Sequence, residues 1–332
     1  MSESIAPVSW GVISTADIGM RKVIPAMQQG TLSRVDAIAS RDPATASSAA
    51  AEMGIPRSYG SYEELLDDPE IEAVYIPLPN HMHLEWAVAS ARAGKHVLCE
   101  KPLAMTAAEA EEIVSVCADS GVLLMEAFMY RLHPMWQKVL ELIGDGSIGE
   151  VRAVNSVFSY FNDDPTNIRN IPEVGGGALY DIGCYAVNVS RTVFGREPVS
   201  VEARILRDPA LGTDILTSAV LDFEDGHGTF LCSTQMESDQ RVVILGTTGR
   251  IVVDIPFNIP GDRPSVVHLI SGGDPPVAPN VETHETPAAN PYTVQGDIFS
   301  RSIRTGEPLP FPAEDAVGNM RVIEQIFAAA ND

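Results

Sequence analysis

Short apolar runs alternate with segments of helical periodicity along the first 128 residues. The apolar runs have the length of strands, and the segments between them place their apolar residues on one helical face. The predicted strands are residues 8–14, 34–40, 71–79, 96–101 and 122–128. The predicted helices are residues 18–30, 44–54, 61–70, 83–94 and 106–121. Strand–helix alternation of this kind predicts an α/β domain of residues 1–128 with a doubly wound parallel sheet.

The pattern changes after residue 128. One helix is predicted over residues 134–146, and segments with alternating Val, Ile and Thr follow it. These segments are residues 151–161, 200–208, 215–223, 228–236 and 241–255. They predict a C-terminal α+β domain of residues 129–332 with a large, mostly antiparallel open sheet. Residues 256–280 are rich in Pro and Gly and are predicted to be irregular, and a final helix over residues 313–330 is predicted to pack on either domain.

Composition narrows the class of protein. The chain has 332 residues, 45% of them apolar, and no apolar run approaches the roughly 18–20 residues of a spanning helix. Its first ten residues have no basic segment followed by a long apolar one, so no secretory signal is predicted. The four cysteines are scattered and predict reduced thiols in a cytoplasmic protein. A net charge of −23 argues against nucleic acid or an anionic membrane as a partner.

The turn after the first predicted strand is the place where a doubly wound domain binds a dinucleotide. Ser14, Ala16 and Gly19 stand at the three positions of the G-x-G-x-x-G fingerprint. Two of the three glycines are therefore replaced, but by small residues that still let the backbone approach a pyrophosphate. The position between strand and helix predicts a phosphate turn of the Rossmann type.

The end of the second predicted strand indicates which dinucleotide is bound. Sites for NAD usually carry Asp or Glu there, to accept hydrogen bonds from the adenosine ribose. This chain has Ser40 and Arg41, which suit a 2′-phosphate, because the guanidinium is a charged fork and the hydroxyl a donor. The sequence therefore predicts NADP rather than NAD, unless Arg41 only pairs with Asp42 on the surface.

Two further segments carry unusual polar residues. The strand ending at Cys99 leads directly into Glu100, Lys101 and Pro102, which indicates a deliberately placed charge. In the helix after the glycines at 175–177, Asp181, Tyr185 and Asn188 form a polar stripe. That stripe suits a partly enclosed wet cleft, although ordinary structural hydrogen bonding would explain it equally well. Beside it runs an apolar face of Leu179, Ile182, Ala186, Val189 and Val193.

Taken together, these segments resemble the Gfo/Idh/MocA family, the group of glucose–fructose oxidoreductase and inositol dehydrogenase. The resemblance runs from about Val8 to Ala330. Its motifs are Glu100-Lys101-Pro102, Pro79-Asn80-x-x-His83, the segment 126–131 with sequence EAFMYR, and the segment 175–185 with sequence GGGALYDIGCY. Within the family, the chain is most similar to NADP-dependent aldose and dihydrodiol dehydrogenases and anhydrofructose reductases.

The resemblance implies an NADP-dependent oxidoreductase that moves a hydride between the nicotinamide and a carbinol or carbonyl carbon of a sugar or polyol. It implies Lys101 and Tyr185 as the catalytic pair, with Asp181 beside them and a cis bond between Lys101 and Pro102. The predicted cofactor-binding residues are Ser14, Thr15, Ala16, Ile18, Gly19, Ser40, Arg41, Pro77, Pro79, Asn80, His83, Glu100 and Lys101. The predicted substrate-binding residues are Lys101, Arg131, Arg169, Asp181 and Tyr185, with His133 as a further polyol contact.

Several alternatives stay open at this point. Either Tyr185, with the charge of Lys101 favouring its ionisation, or Lys101 itself could take the hydroxyl proton. Two other functions compatible with the family are a dinucleotide-binding regulator without turnover and an NAD-dependent glycoside hydrolase. His81, His83 and His96 lack converging acidic or thiolate partners, so no metal site is predicted. The open sheet predicts a homodimer or homotetramer.

Overall fold

The computed structural model describes residues 5–272 and 278–330, so residues 273–277 of the predicted irregular segment lie outside the described part. The strands are β1 Val8–Ile13, β2 Ser33–Ala39, β3 Arg57–Tyr59, β4 Ala73–Ile76, β5 His96–Cys99, β6 Leu124–Glu126, β7 Val151–Phe161, β8 Ser200–Arg207, β9 Asp214–Asp222, β10 His227–Ser233, β11 Gln235–Gly246, β12 Gly249–Val253, β13 Ser265–Ser271 and β14 Asn280–Thr286. The α-helices are α1 Ile24–Met27, α2 Pro43–Met53, α3 Tyr62–Leu66, α4 His83–Arg92, α5 Ala107–Asp119, α6 Pro134–Gly144, α7 Cys184–Phe194, α8 Pro291–Thr305 and α9 Glu314–Ala329. Turns of π-helix precede α1 and α7, at Gly19–Val23 and Leu179–Gly183.

The chain forms two compact units. The first comprises Met1–Met129 and Asn290–Val317, and the second comprises Tyr130–Ala289 and Gly318–Asp332. The predicted second domain of residues 129–332 therefore differs from the structure, because residues 290–317 belong to the first unit. The final predicted helix also divides, since α9 begins in the first unit and continues from Gly318 in the second.

The sheet of the first unit has the strand order β3-β2-β1-β4-β5-β6 and is parallel throughout, which confirms the predicted fold class. Strands β1 and β4 are buried along their whole length, as expected of a sheet covered by helices on both faces. Local sequence sets the start of two helices. Ser61 caps α3 and Thr106 caps α5, and each side chain accepts a hydrogen bond from the amide three residues later.

The sheet of the second unit has the strand order β14-β13-β12-β11-β7-β10-β9-β8. Only β7 and β10 pair in parallel, so the predicted large and mostly antiparallel sheet is confirmed. Helices α6 and α7 pack on one face of it. Along β7, Val154, Ser156 and Phe158 are buried while Asn155 and Val157 remain at least partly exposed. The opposite face of the sheet therefore lies open within this unit.

Several elements differ from the predicted pattern, and strands β3 and β14 were not predicted at all. The run 241–255 is a hairpin of β11 and β12, and the segment predicted to be irregular contains β13. Helix α8 was not predicted, because its buried residues include Gln295, Gly296 and Ser300 rather than an apolar stripe. No helix in the described residues is both long and apolar enough to cross a membrane.

Candidate active site

The turn after β1 has the geometry of a phosphate-binding turn despite its missing glycines. Ser14 adopts φ of 123°, a conformation that L-residues rarely take, so it behaves here as the glycine it replaces. Its amide donates to Ala39 O on β2 at 3.1 Å, and its Oγ accepts from Ala16 N at 3.0 Å. The helix that includes Gly19 follows directly, and the amides of a first helical turn suit the binding of an anion such as a phosphate. The residues present thus fit a dinucleotide.

The end of β2 offers a positive charge and no carboxylate of its own. Ser40 is half-buried and Arg41 is exposed. Asp42 caps α2: its Oδ1 accepts from Ala44 N and its Oδ2 from Thr45 Oγ1, both at 2.9 Å. These bonds, that of Thr45 first, lower the pKa of Asp42. Within the described residues, Arg41 and Asp42 form no ion pair, which removes the alternative explanation for Arg41.

Tyr62 is a polar residue at this end of the sheet that the sequence analysis did not single out. It is buried on α3, with its ring edge-on to Trp86 at 4.8 Å. Burial raises the pKa of Tyr62, while the charge of Arg41 and side-chain hydrogen bonds from Ser14 and Arg41 act in the opposite direction. The tyrosine therefore lies between two of the predicted cofactor-binding residues.

The turn that carries Lys101 is held from three sides of the first unit. Lys101 and Pro102 are joined by a cis peptide bond, as the resemblance implied. Before the turn, Tyr75 Oη donates to Glu100 Oε1 at 2.6 Å, and after it Leu103 N donates to Glu126 Oε1 at 2.8 Å. Tyr75 belongs to β4 and Glu126 ends β6, the two strands that flank β5, so the turn is fixed by the sheet itself.

His83 supplies the third support, which changes its predicted role. Its side chain is fully buried, and its ring nitrogens lie 2.9 Å from Pro102 O and 2.8 Å from Leu78 O. Burial lowers the pKa of His83, although the carbonyls act in the opposite direction. Both nitrogens are thus engaged by the backbone of the two loops that flank the site. The sequence analysis had predicted a cofactor contact for His83, but both of its ring nitrogens face backbone carbonyls, so the side chain positions these loops instead.

Tyr75 is a supporting residue that the sequence pattern hid. It belongs to β4 and is fully buried, so its periodicity marks it as an ordinary core residue. Burial, followed by the charge of Glu100, raises the pKa of Tyr75 well above its usual value. The hydroxyl therefore stays protonated and donates to the carboxylate. Tyr292 on α8 also lies near Glu100, and burial followed by that charge raises its pKa.

In the second unit, Asp181 is fixed by two donors. Its Oδ2 accepts from Tyr160 Oη at 2.5 Å and from Arg169 Nε at 3.1 Å. Burial, and next the charge of Asp181, raise the pKa of Tyr160, so the phenol remains a donor. Arg169, predicted to bind substrate, places its Nε on this carboxylate, and Tyr160 is a member of the site that the sequence analysis missed. Alternation along β7 gave no sign of it.

Tyr185 lies four residues after Asp181 in an aromatic cluster. Its ring centroid is 5.1 Å from Phe257, 5.7 Å from Phe158 and 5.8 Å from Tyr130. The third residue of the predicted stripe behaves differently, because Asn188 is fully buried and accepts from Tyr130 Oη at 2.6 Å. Asn188 is therefore a structural partner of Tyr130, and the predicted wet stripe ends at Tyr185.

The remaining predicted contacts divide into two groups. His133 is fully buried, accepts from Met135 N at 3.1 Å and lies 3.0 Å from Ala289 O, so it caps α6 and is not a polyol contact. Arg131 is half-buried at the start of the second unit and stays a predicted substrate contact. No group of three His, Cys, Asp or Glu side chains in the described ranges could hold a metal ion.

Comparison with known proteins identifies the family of both parts of the chain. Residues 8–128 match the model of an oxidoreductase family with an NAD-binding Rossmann fold, and residues 136–252 match the model of the GFO/IDH/MocA C-terminal domain. An uncharacterized oxidoreductase of Rhizobium meliloti is 46% identical, and D-xylose 1-dehydrogenase (NADP(+)) 2 of Haloferax volcanii is 39% identical; in each pair 97% of both chains is covered. A crystal structure of a 3-ketoreductase from Actinomadura kijaniata, in complex with NADP and TDP-benzene, has a TM-score of 0.90 and 30% identity, covering 97% of this chain and 98% of that one.

Proposed function

The chain belongs to the Gfo/Idh/MocA family of oxidoreductases, and we propose that it oxidises or reduces a sugar or related polyol with NADP as cofactor. The observation that carries the proposal is the turn at Lys101. A lysine held at the carboxyl ends of parallel strands, where open α/β sheets bind their ligands, is placed for chemistry. Structural ion pairs do not require such support from three directions.

NADP is preferred over NAD in this proposal because of the end of β2. Arg41 is exposed there without an ion pair to Asp42, and Ser40 adds a hydroxyl. A 2′-phosphate offers both of them a charge-assisted contact. The similarity to an NADP-dependent xylose dehydrogenase and to a ketoreductase solved with NADP supports this choice.

The two ionisable residues of the predicted pair have distinct tasks. When bound, the nicotinamide accepts or supplies the hydride at the carbinol carbon. Tyr185 exchanges a proton with the substrate oxygen, and Lys101 stabilises the negative charge that develops on that oxygen. The surrounding aromatic rings bury most of the Tyr185 side chain, which is 6% exposed. Lys101 as the proton acceptor remains the alternative.

Asp181 has the task of orienting the substrate. Tyr160 and Arg169 both donate to its Oδ2 and so fix the direction of the carboxylate. A fixed carboxylate accepts hydrogen bonds from a sugar hydroxyl at a defined place, which suits a polyol better than an apolar alcohol. We therefore propose aldoses or anhydrosugars as the substrate class.

We also propose that the second unit forms a homodimer or homotetramer through its open sheet. The outward side chains of the central strands include Val157, Leu231, Val243 and Val252, each only half-exposed. A second copy of the same face would cover these residues with complementary strands.

The deciding experiment measures reduced-nicotinamide absorbance with a panel of aldoses, anhydrosugars and dihydrodiols, each with NADP⁺ and with NAD⁺. We expect turnover of NADP⁺ with at least one sugar. Net turnover would exclude both the regulator and the glycoside hydrolase, because neither consumes free cofactor. Absence of turnover across the panel in both directions, with cofactor binding intact, would instead favour the regulator.

A further inference from the structure

Asp214 is a buried carboxylate beneath the start of the helix that carries Asp181 and Tyr185. It is the first residue of β9 and is only 1% exposed. Its Oδ2 accepts from Leu179 N at 2.7 Å and from Thr217 Oγ1 at 3.0 Å. Leu179 opens the helix, and the amides of a first helical turn have no acceptor within the helix. Asp214 therefore supplies such an acceptor from a distant strand.

This cap differs from the others in the chain. Helices α3, α5 and α8 are capped by the residue that immediately precedes them, Ser61, Thr106 or Asn290. Before Leu179 the chain has Ala178, which has no side-chain acceptor. The helix start is thus tied to the sheet, and its position depends on tertiary contact rather than on local sequence.

The three-glycine turn is shaped around this carboxylate. A Cβ on Gly177 would lie 1.9 Å from Asp214 Oδ1, and Gly177 has φ of 121°. A Cβ on Gly176 would lie 2.7 Å from the carbonyl oxygens of Arg169 and Ile171. Any side chain at either position would push the turn away from the sheet. The glycines therefore permit a close approach that Asp214 uses.

Burying a carboxyl group is unfavourable, so a buried carboxyl group at the helix start calls for a role. Burial raises the pKa of Asp214, while the bonds from Leu179 and Thr217 and the charge of Arg207 act in the opposite direction. The bond from Leu179 to Asp214 fixes the distance between the helix start and the sheet, which a cap from the preceding residue would not do.

We propose that Asp214 is a positioning residue for the oxidoreductase reaction, holding the first turn of this helix in place for Asp181 and Tyr185. The inference rests on the proposed function, since it assumes that these two residues act on the substrate. Asp181 is bound to Tyr160 on β7, and Leu179 is bound to Asp214 on β9. The helix start is thereby fixed to the same sheet at two strands, once by its backbone and once by its functional side chain.

The test compares Asp214→Ala, Asp214→Asn and Thr217→Val with a matched control, Ser233→Ala. Ser233 Oγ donates to Ile215 O at 2.6 Å and accepts from Gln235 N at 3.1 Å, so the control removes two other hydrogen bonds of this sheet, neither of which involves residues 179–183. The readouts are amide deuterium exchange of the peptide 176–183 in the protein without cofactor, and kcat and KM with the best sugar and NADP⁺.

For Asp214→Ala we expect amide exchange of peptide 176–183 to be at least tenfold faster and kcat to be at least tenfold lower. KM for NADP⁺ should stay within about twofold of wild type. Asp214→Asn keeps an oxygen for Leu179 N and should stay within about threefold in both readouts. Thr217→Val is nearly isosteric, so it serves as the test variant if Asp214→Ala does not fold. It should speed exchange about threefold, because Asp214 Oδ2 loses the hydrogen bond from Thr217. Ser233→Ala should leave exchange in this peptide unchanged.

Unchanged exchange in Asp214→Ala, or in Thr217→Val if the alanine variant does not fold, would overturn the proposal. So would an Asp214→Asn variant as impaired as Asp214→Ala. Tyr185→Phe in the same assay separates the two hypotheses. If Tyr185→Phe keeps full kcat, the proposed role of Tyr185 fails, and the exchange measurement still tests the cap by Asp214. If Tyr185→Phe is inactive while Asp214→Ala has faster exchange and a normal kcat, the positioning role of Asp214 fails.

Discussion

At the scale of single residues, Ser14 shows how a departure from a motif is accommodated. Its φ of 123° belongs to a region where an L-residue costs of order 1–3 kcal/mol. The hydrogen bonds of its amide to Ala39 and of its hydroxyl to Ala16 hold it there. A serine thus keeps the backbone path of the first fingerprint glycine and adds a hydroxyl at the cofactor turn.

The preference for NADP is a prediction at this scale, and it rests on Ser40 and Arg41. A charge-assisted contact contributes about 1.5–3 kcal/mol, and each 1.4 kcal/mol is tenfold, so kcat/KM should favour NADP⁺ by about ten- to a hundredfold. The double variant Ser40→Asp with Arg41→Ala should reverse this ratio, mainly through KM, because the carboxylate accepts from a ribose hydroxyl and repels a phosphate. Steady-state kinetics with both cofactors measures it.

Arg34→Ala is the control for this prediction. Arg34 lies at the opposite end of β2, with its side chain 61% exposed, and should leave the ratio unchanged. Asp42 is kept in every variant because it caps α2. If wild type used NAD⁺ as efficiently as NADP⁺, or if Arg41→Ala left the ratio unmoved, the assignment of this turn would be wrong.

Lys101→Ala should lower kcat by about a hundredfold or more, in the range of general acid–base contributions, with a melting temperature near that of wild type. The supports of the turn, from Tyr75, His83 and Glu126, do not involve the lysine amine. Lys138→Ala, at a lysine that pairs with Glu141 on α6, is the matched control and should retain full activity. Near-wild-type turnover of Lys101→Ala would refute the catalytic role.

Tyr185→Phe distinguishes the two candidate proton acceptors. The substitution preserves the ring contacts with Phe158 and Phe257 and removes only the hydroxyl. If Tyr185 transfers the proton, kcat should fall by about a hundredfold and the pH dependence of kcat should change. An unchanged pH profile with normal kcat would make Tyr185 a packing residue and leave Lys101 as the acceptor.

At the scale of elements, α8 joins the first unit through a charged anchor. Arg304 Nη1 and Nη2 donate to the two oxygens of Glu72, each at 2.6 Å, and its guanidinium also donates to Ala6 O and Pro7 O. One turn earlier on the same helix, Ser300 Oγ accepts from Trp10 Nε1 at 3.0 Å. Polar contacts therefore hold this helix on β1, which explains why the sequence has no apolar stripe from which the helix could be predicted.

Arg304→Ala should destabilise the first unit by about 1 kcal/mol, a modest value because the pair is partly exposed. The expected fall in Tm is about 2–4 °C. The hydrogen bond from Arg304, the largest cause, lowers the pKa of Glu72 below its ordinary 4.5. A lowered carboxyl pKa contributes stability above that value, which is lost as pH falls, so wild type and variant should converge below about pH 4.5.

Thermal unfolding across pH measures this effect, with Arg301→Ala as control. Arg301 is exposed on the same helix, one turn earlier, and its removal should leave Tm nearly unchanged at every pH. A difference between wild type and Arg304→Ala that persisted undiminished at pH 3 would show that the contacts to Ala6 and Pro7, rather than the Glu72 pair, hold the helix.

At the scale of the whole molecule, the open sheet and the net charge act against each other. Half-exposed apolar side chains on the central strands favour covering by a second copy. A charge of −23 on each chain opposes association, and salt screens that repulsion over about 8–10 Å at physiological strength. Assembly through the sheet should therefore become stronger with added salt.

Light scattering at micromolar concentration should give a dimer or tetramer mass in 0.15–0.5 M salt, a range in which the Debye length falls from about 8 Å to roughly half that. Leu231→Asp with Val243→Asp places two charges on the open face and should yield a monomer. Ala118→Asp, on the exposed face of α5, is the control and should not change the mass. A wild-type monomer at every salt concentration would contradict the prediction.

The sequence by itself determined the features that depend on local pattern. Strand–helix alternation predicted the parallel sheet, and period-two alternation predicted the second sheet, because burial on one face imposes these periods wherever apolar residues form it. Short motifs located Asp181 and Tyr185 in a helix, and Ser40, Arg41 and Lys101 within two residues of the end of a strand. A cap such as Thr106 is local in the same way, because its donor and acceptor lie three residues apart in sequence.

Only the tertiary structure decided which polar groups meet. Asp181 lies 21 residues from Tyr160, Leu179 lies 35 from Asp214, and Glu100 lies 25 from Tyr75 in sequence, and no periodicity relates these pairs. Tyr75 and Tyr160 had the pattern of ordinary strand residues, and His83 was predicted to contact the cofactor. Burial and interatomic distances in the structure assigned their roles. Helix α8 was hidden for the same reason: polar contacts to distant strands fix it, and a hydrogen bond between distant residues leaves no periodic trace in a single sequence.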